Sequence, residues 1–309
     1  MAVFMLLVIY AYEPLAWHWP AKGLVYFIDV GQGDASLVRT PTGSHLLIDG
    51  GGTISFVREG DEWRQRKDPF ETGKDILVPL LKQRGVHQID MLFLTHADAD
   101  HVGGLAEVVK RIPVKQIFIN GTVKTSPAMV AFIEAATERN IPIYAASYGL
   151  TLEIDRYTKL LFLHPFSQEQ LYNETRQNDY SLVFLLQIFD KQILYAGDME
   201  QEQEKEVLAA LPELEMDDRA NSFFSNDAPL VLKVAHHGSR TSTSAQWLDY
   251  WKPEAAVISA GRNNLYGHPH PDVIRRLQQL GSRVYRTDLH GEIQLDIRKN
   301  SMSVRTKFR

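Results

Sequence analysis

The sequence predicts an α/β fold in which two mixed sheets are sandwiched between outer helices. Three observations carry this. Apolar runs of strand length alternate with helix-periodic stretches from Leu24 onward, and meander-like strands stand before and after the interleaved helices. No linker, low-complexity tract or repeat divides the chain, so its 309 residues are read as one large domain behind a short N-terminal segment.

The elements follow in order. Residues 24–30 (LVYFIDV) form a buried-strand run, and Gly31-Gln32-Gly33-Asp34 is a tight turn. Strands at 35–39 and 45–48 flank the turn Thr40-Pro41-Thr42-Gly43. Residues 53–72 are polar and aperiodic, which reads as a long surface loop, either a lid or a plain insertion. Residues 75–84 carry Ile76, Leu77, Leu80 and Leu81 at helical spacing, with Gly85 as the stop. A strand at 89–95 then leads to a helix at 102–111.

The second half repeats this pattern. Strands are expected at 115–120, 141–144, 160–163, 181–189, 192–195, 230–235 and 255–259, with 283–287 and 291–297 closing the domain. Helices are expected at 127–139, 200–210, 244–251 and 271–280. Trp63, Trp247 and Trp251 are read as packing residues.

Composition narrows the function. With 44% hydrophobic and 23% charged residues the chain resembles an ordinary globular enzyme. A net charge of −5 supplies no global basic field, so a polyanion must be held by local Lys and Arg groups or by metal ions. The absence of cysteine excludes disulfides and thiolate-bound zinc. Residues 1–12 (MAVFMLLVIYAY) are uncharged and apolar but shorter than the roughly 20 residues that span a bilayer. Trp17 and Trp19 suit a membrane–water interface. Residues 1–20 are therefore read as a segment apart from the domain at 21–309. It is a packed strand or helix, an interfacial segment or, the favoured reading, the cut end of a transmembrane helix of a larger protein.

The chemistry sits at four strand ends. In Thr95-His96-Ala97-Asp98-Ala99-Asp100-His101, four metal-ligand side chains follow an apolar strand on a loop that opens a helix. His96 with Asp98, and Asp100 with His101, can point to opposite sides of the turn and give each of two metals its own pair. Gly197-Asp198 ends another strand, where a carboxylate can bridge two cations. Ala235-His236-His237-Gly238-Ser239 ends a third; His237 is the preferred ligand and His236 its alternate or supporting partner. The fourth, residues 264–271 (NLYGHPHP), offers histidines for a general acid or a phosphate contact. Asp29, Gln32 and Asp34 could shape the site, but a Gly-x-Gly hairpin needs only turn residues there, and that reading is preferred.

The His-x-Asp-x-Asp-His segment resembles the signature of the metallo-β-lactamase superfamily, as do Asp49 in Leu46-Leu-Ile-Asp49-Gly-Gly, Asp198 and His237. More narrowly, residues 27–34, 178–183, 235–239, 261–270 and 285–288 resemble the C-terminal domain of ComEC-type DNA-uptake competence proteins. The resemblance implies a four-layer αββα sandwich with two divalent ions at the shared edge of the sheets. Asp49 would orient the metal loop. One ion would take His96, Asp98 and a residue near Asn178 or Asp179; the other would take Asp100, His101 and His237, with Asp198 bridging. The superfamily usually has histidine at the positions of Asp98 and Asn178-Asp179. This makes the ligand set harder and shifts the expectation slightly from zinc toward manganese.

The implied reaction is phosphodiester hydrolysis of DNA, single- or double-stranded, by a domain on the extracytoplasmic side of a bacterial cell membrane. The domain would be joined to a channel protein, degrade the non-transported strand and be monomeric in isolation. Asp100, His268, His236 and Ser239 are candidates for catalysis. Arg240, Arg262, Asn264, Lys233 and a basic tail (Arg298, Lys299, Arg305, Lys307, Arg309) are candidates for holding the backbone. A small-molecule phosphodiesterase, lactonase or β-lactamase-like hydrolase needs the same core, and a DNA-binding module without catalysis needs only part of it.

Overall fold

The computed structural model describes residues 21–52, 69–166, 176–224, 228–262 and 264–308. The apolar segment 1–20 and most of the expected loop 53–72, including Trp63, lie outside the described residues. No helix among the described residues is long and apolar enough to cross a membrane.

The first sheet contains β1 (Gly23–Phe27), β2 (Ser36–Arg39), β3 (His45–Ile48), β4 (Met91–Leu94), β5 (Ile117–Ile119) and β6 (Ile143–Ala145), joined by the C-terminal β14 (Ile293–Arg298) and β15 (Ser301–Thr306). Its order is β15-β14-β1-β2-β3-β4-β5-β6. β1 to β3 form an antiparallel meander, whereas β3 to β6 run parallel. Parallel neighbours need long crossovers. These are supplied by α1 (Val78–Gln83), the pair α2 (Ala99–Val102) and α3 (Leu105–Arg111), and α4 (Pro127–Glu138).

The second sheet contains β7 (Thr151–Asp155), β8 (Thr158–His164), β9 (Val183–Ile188), β10 (Lys191–Tyr195), β11 (Leu230–Lys233), β12 (Ala255–Ile258) and β13 (Arg283–Arg286), in the order β13-β12-β11-β10-β9-β8-β7. It too changes from antiparallel to parallel at β10. Its crossovers carry α5 (Gln201–Met216), α6 (Ala245–Trp251) and α7 (Pro271–Gln279).

Three apolar clusters make this a four-layer αββα sandwich. Leu92 and Leu94 of β4 pack outward with Leu81, Leu105 and Phe132, while Phe93 points the other way. On the far side Leu232 of β11 packs outward with Leu211, Trp247 and Leu277. Between the sheets lie Phe27, Phe93, Phe118, Phe162, Phe184 and Tyr195. Phe93 is central there, with ring centroids 5.2 Å from Phe118, 5.7 Å from Phe184 and 6.1 Å from Phe162. The period-2 alternation of strands buried on both faces explains why their sequences read as continuous apolar runs.

Several elements differ from expectation. The helix expected at 102–111 is two helices, broken where Gly103 and Gly104 meet the Gly50-Gly51-Gly52 loop. A Cβ on Gly104 would lie 2.3 Å from the Gly50 carbonyl oxygen, so only glycine permits that approach. Helix α5 runs on to Met216 despite Pro212 inside it. β7 and β15, which were not expected as strands, are solvent-facing edges. Their residues are mostly half-buried or exposed and lack the apolar run that marks the inner strands. Of the expected basic tail, Arg305 lies on β15 and is paired to Asp296 at 3.1 Å, Arg298 ends β14, Lys299 and Lys307 flank β15, and Arg309 lies outside the described residues.

Truncating Phe93 to Ala removes the ring on which the two sheets converge. It is expected to cost about 3–5 kcal/mol in denaturant unfolding with the m-value unchanged.

Candidate metal centre

The site gathers at the C-terminal ends of β3, β4, β10 and β11, so it straddles the edge shared by the two sheets. This is where the turns of an α/β sheet present side chains to a ligand. After β4, the Thr95 N–H and hydroxyl both donate to the Asp49 carboxylate at 2.8 Å. The other end of the loop is tied to the same carboxylate by His101 Nδ1, 2.9 Å from Asp49 Oδ2. Asp49 itself sits in the left-handed region (φ 56°), where few side chains rest without support. Its contacts span the loop from one end to the other.

Asp198 is the centre of the cluster. Its Oδ1 is 3.2 Å from His101 Nε2, and its Oδ2 is 3.7 Å from His237 Nε2, 3.8 Å from His96 Nε2 and 3.9 Å from His236 Nε2. The Asp198 N–H donates to Ser181 Oγ at 3.0 Å, which fixes the carboxylate's backbone. His164 in turn donates from Nδ1 to the Ser181 carbonyl (3.0 Å), and burial pushes its pKa down to about 4. Beyond Asp198, His96 Nε2 is 3.7 Å from Asp98 Oδ2, and His237 Nε2 is 3.1 Å from Asp100 Oδ2.

Two groups within this set have ligand atoms all within 4.8 Å of one another: His96, His101 and Asp198, and Asp100, His101 and His237. The Nε2 atoms of His96 and His101 and Oδ1 of Asp198 are buried without a hydrogen-bond partner. Buried polar atoms are rarely left so. Converging orphaned imidazole nitrogens and a carboxylate oxygen fit divalent ions, and the donor set of nitrogen and hard oxygen suits zinc or manganese alike.

The histidines at the end of β11 are held under strain. His236 (φ 49°) and His237 (φ 52°) are consecutive left-handed residues, each costing on the order of 1–3 kcal/mol. The His237 Nδ1–H donates to the Ser259 carbonyl at 3.0 Å, leaving Nε2 for the cluster. His236 Nδ1 stands 3.6 Å from Glu200. His268 lies over both, with centroids 5.6 Å from His236 and 6.5 Å from His237. Burial and the two neighbouring imidazoles hold its pKa down at about 4, so it is neutral at pH 7.

Carboxylates dominate the field. Burial disfavours the charged form of His237, but Asp198, Asp100 and Asp34 outweigh it and hold its pKa at about 10. Burial opposes ionisation of Asp100 too, yet the hydrogen bond from His237 and the charge of His101 bring it to about 2. His101 is raised by Asp198 and Asp49 against its burial, whereas burial and His101 lower His96.

The structure thus gathers His96, Asp98, Asp100, His101, Asp198, His236 and His237. Others fall elsewhere. Asp179 lies in the short helical turn Gln177–Tyr180 with Asn178, its carboxylate paired to Arg176 rather than turned into the cluster. Lys233 cannot reach a substrate, because it is 2% exposed and its ammonium is 2.6 Å from Asp34. Asn264 is engaged inside its own loop, donating to the Gly261 (2.9 Å) and His268 (2.6 Å) carbonyls and accepting from the His268 N–H (3.0 Å). Ser239 Oγ is 3.0 Å from Thr241 Oγ1. Arg240 and Arg262 remain exposed.

One residue at the site carried no signal of its own, and another only a weak one. Lys124 reaches Asp98 Oδ1 at 2.7 Å from the loop after β5, and Asp34, read as a turn residue, is buried within the cluster. A lone lysine in a polar loop looks like surface. Asp34 follows a Gly-x-Gly turn that accounts for it without any site.

Residues 28–262 match the Metallo-beta-lactamase superfamily, and the chain belongs to it. It is 37% identical over 275 residues to ComE operon protein 3 of Bacillus subtilis, an alignment covering 89% of this chain and 33% of that protein. With the competence protein ComA of Neisseria gonorrhoeae it shares 29% identity over 269 residues, covering 87% of this chain and 31% of the relative. The chain therefore spans about a third of the length of these ComEC-type relatives. Among solved structures, CmlA, a diiron β-hydroxylase from Streptomyces venezuelae, shares the fold at TM-score 0.50 and 14% identity, with 90% of this chain and 54% of that chain aligned.

The pKa shifts give a signed expectation for chelator-treated protein. His237 contributes stability fully below its ordinary value of 6.5, and this is lost as pH rises through about 10. Asp100 contributes above 3.8, and this is lost as pH falls through about 2. His164 and His268, held at about 4, contribute above 6.5 and lose that contribution as pH falls through about 4. Denaturant unfolding should therefore give its highest stability near pH 6.5, with a decline toward pH 4 and a progressive decline toward pH 10. A flat profile above 6.5 would contradict the carboxylate-held imidazolium.

Proposed function

We propose that the domain is a metal-dependent nuclease that hydrolyses DNA phosphodiester bonds. It would be the extracytoplasmic part of a bacterial DNA-uptake channel protein and would degrade the strand that is not transported. The observation that carries this reading is the ring of His96, His101, His236 and His237 around Asp198. Its likeness to competence relatives three times its length supports the link to DNA and to a membrane-borne remainder.

Two divalent ions would be held around Asp198, one by His96 and Asp98, the other by Asp100, His101 and His237, with His236 as the alternate or supporting partner. Manganese is slightly favoured over zinc by the carboxylate content. The ions supply neutralisation of charge at the phosphoryl oxygens and activation of water. The chain's own residues do the rest. Asp49 and Ser181 keep the ligand loops in register. His268, stacked over His237, is placed to hydrogen-bond the leaving oxygen. Lys124 and the exposed Arg240 and Arg262 offer cationic contacts for the backbone.

A small-diester hydrolase is the second reading. It is favoured by the net charge of −5 and by the internal engagement of Lys233 and Asn264.

The test is cleavage of end-labelled single- and double-stranded DNA with manganese, zinc or chelator. Metal-dependent degradation that disappears in Asp198→Asn and Asp100→Ala is expected. His268→Ala should lower kcat by about 100-fold or more while leaving bound metal unchanged. Hydrolysis of bis(nitrophenyl) phosphate without any cleavage of DNA would replace the nuclease with the small-diester enzyme.

A further inference from the structure

We infer that the buried Asp34–Lys233 ion pair is a positioning unit for one half of the centre, the half made by Asp100, His101 and His237. This inference rests on the metal-binding reading of the cluster. Lys233 ends β11 in the second sheet, and Asp34 stands on the turn between β1 and β2 in the first. Their contact, Nζ to Oδ2 at 2.6 Å, therefore bridges the two sheets directly beside the site. Lys233 also donates to the carbonyl of the next residue, Val234, at 3.1 Å.

Asp34 touches two members of that half at once. Its N–H donates to the Asp100 carbonyl at 3.1 Å, and its own carbonyl accepts from the Gly51 N–H at 2.7 Å. Its second carboxylate oxygen, Oδ1, is buried without a hydrogen-bond partner and lies 3.6 Å from His237 Nδ1. The preceding residue allows no slack. A Cβ on Gly33 would fall 2.3 Å from the Asp100 carbonyl oxygen, so the turn is pressed against the ligand loop. Lys233 thus holds Asp34, which in turn holds the backbone of one ligand and faces the imidazole of another.

Stability alone is a poor reason for such a pair. A buried ion pair replaced by apolar groups of like volume is often neutral or stabilising. Groups behind metal ligands, by contrast, set affinity through the orientation of the ligands, typically by about 10- to 100-fold. Lys233 cannot coordinate an ion while protonated, whereas Asp34 lies within ligand reach of Asp198 and His237, so Lys233→Met is the variant that isolates positioning from ligation.

The experiment is metal titration of the full chain, wild type against Lys233→Met, Asp34→Asn and the Asp34→Asn/Lys233→Met double variant, using manganese and zinc with a competing chromophoric chelator. Thermal unfolding of the metal-free forms runs alongside. In the wild type two ions should bind. In each variant one of the two dissociation constants should rise by about 10- to 100-fold while the other changes little. The absorption spectrum of the cobalt-loaded protein should change for one ion only. Should a single variant fail to fold for want of its charge partner, the double variant removes both charges together and carries the same expectation. Variants that lower only Tm, with both dissociation constants and the cobalt spectrum as in the wild type, would make the pair a structural staple and overturn the inference. A wild-type chain that binds no metal would instead overturn the metal reading, and the inference with it.

Discussion

A carboxylate that is 3% exposed and has four imidazoles within 4 Å sets the terms for everything near Asp198. Like charges so close together repel strongly in a poorly polarisable interior. Asp34, Asp49, Asp98 and Asp100 share the neighbourhood, and each has its own compensation. Asp34 has Lys233, Asp49 has Thr95 and His101, Asp98 has Lys124, and Asp100 has His237. Removing one partner therefore exposes its neighbour to the whole negative field, and single substitutions here should not behave additively.

The scaffold beneath is built to bear that load. Consecutive left-handed histidines, a left-handed Asp49 and a left-handed Gly197 all occur where strands end at the site. Such conformations persist only where surrounding packing over-determines them. The aromatic layer around Phe93 and the outward clusters on both sheets do this by fixing the strands from both faces. Strand rigidity and ligand aim are two ends of one mechanical chain.

How much of this could be read in advance differed between levels. The inner strands were legible because burial on both faces writes an unbroken apolar run, as in β4 and β11. Edge strands β7 and β15 were not, because a solvated face breaks the run and leaves a pattern indistinguishable from a tail. At the site, ligand-bearing residues clustered in sequence, such as His96 to His101, announce themselves. Asn178-Asp179 stood in sequence where a ligand was expected, but Asp179 is paired to Arg176, an ion pair that no local pattern announces. Lys233 borders the cluster in sequence and so reads as a contact for the backbone, yet it is buried. Its partner Asp34 is 199 positions away, and only the meeting of the two sheets brings them together.

That meeting has a consequence for the order in which the molecule is made. Asp49, the His96–His101 loop and Asp198 all precede β11, whereas His236 and His237 follow it. β1 gains its second neighbour only when β14 arrives, with Gly23 opposite Ile297. A nascent chain that has left the ribosome as far as β10 holds most of the acidic residues but lacks the imidazoles that complete the ring. The cluster is therefore incomplete until β11 and the turn after it are made, and a product truncated at β10 carries Asp34, Asp49, Asp98 and Asp100 without Asp198, His236 or His237.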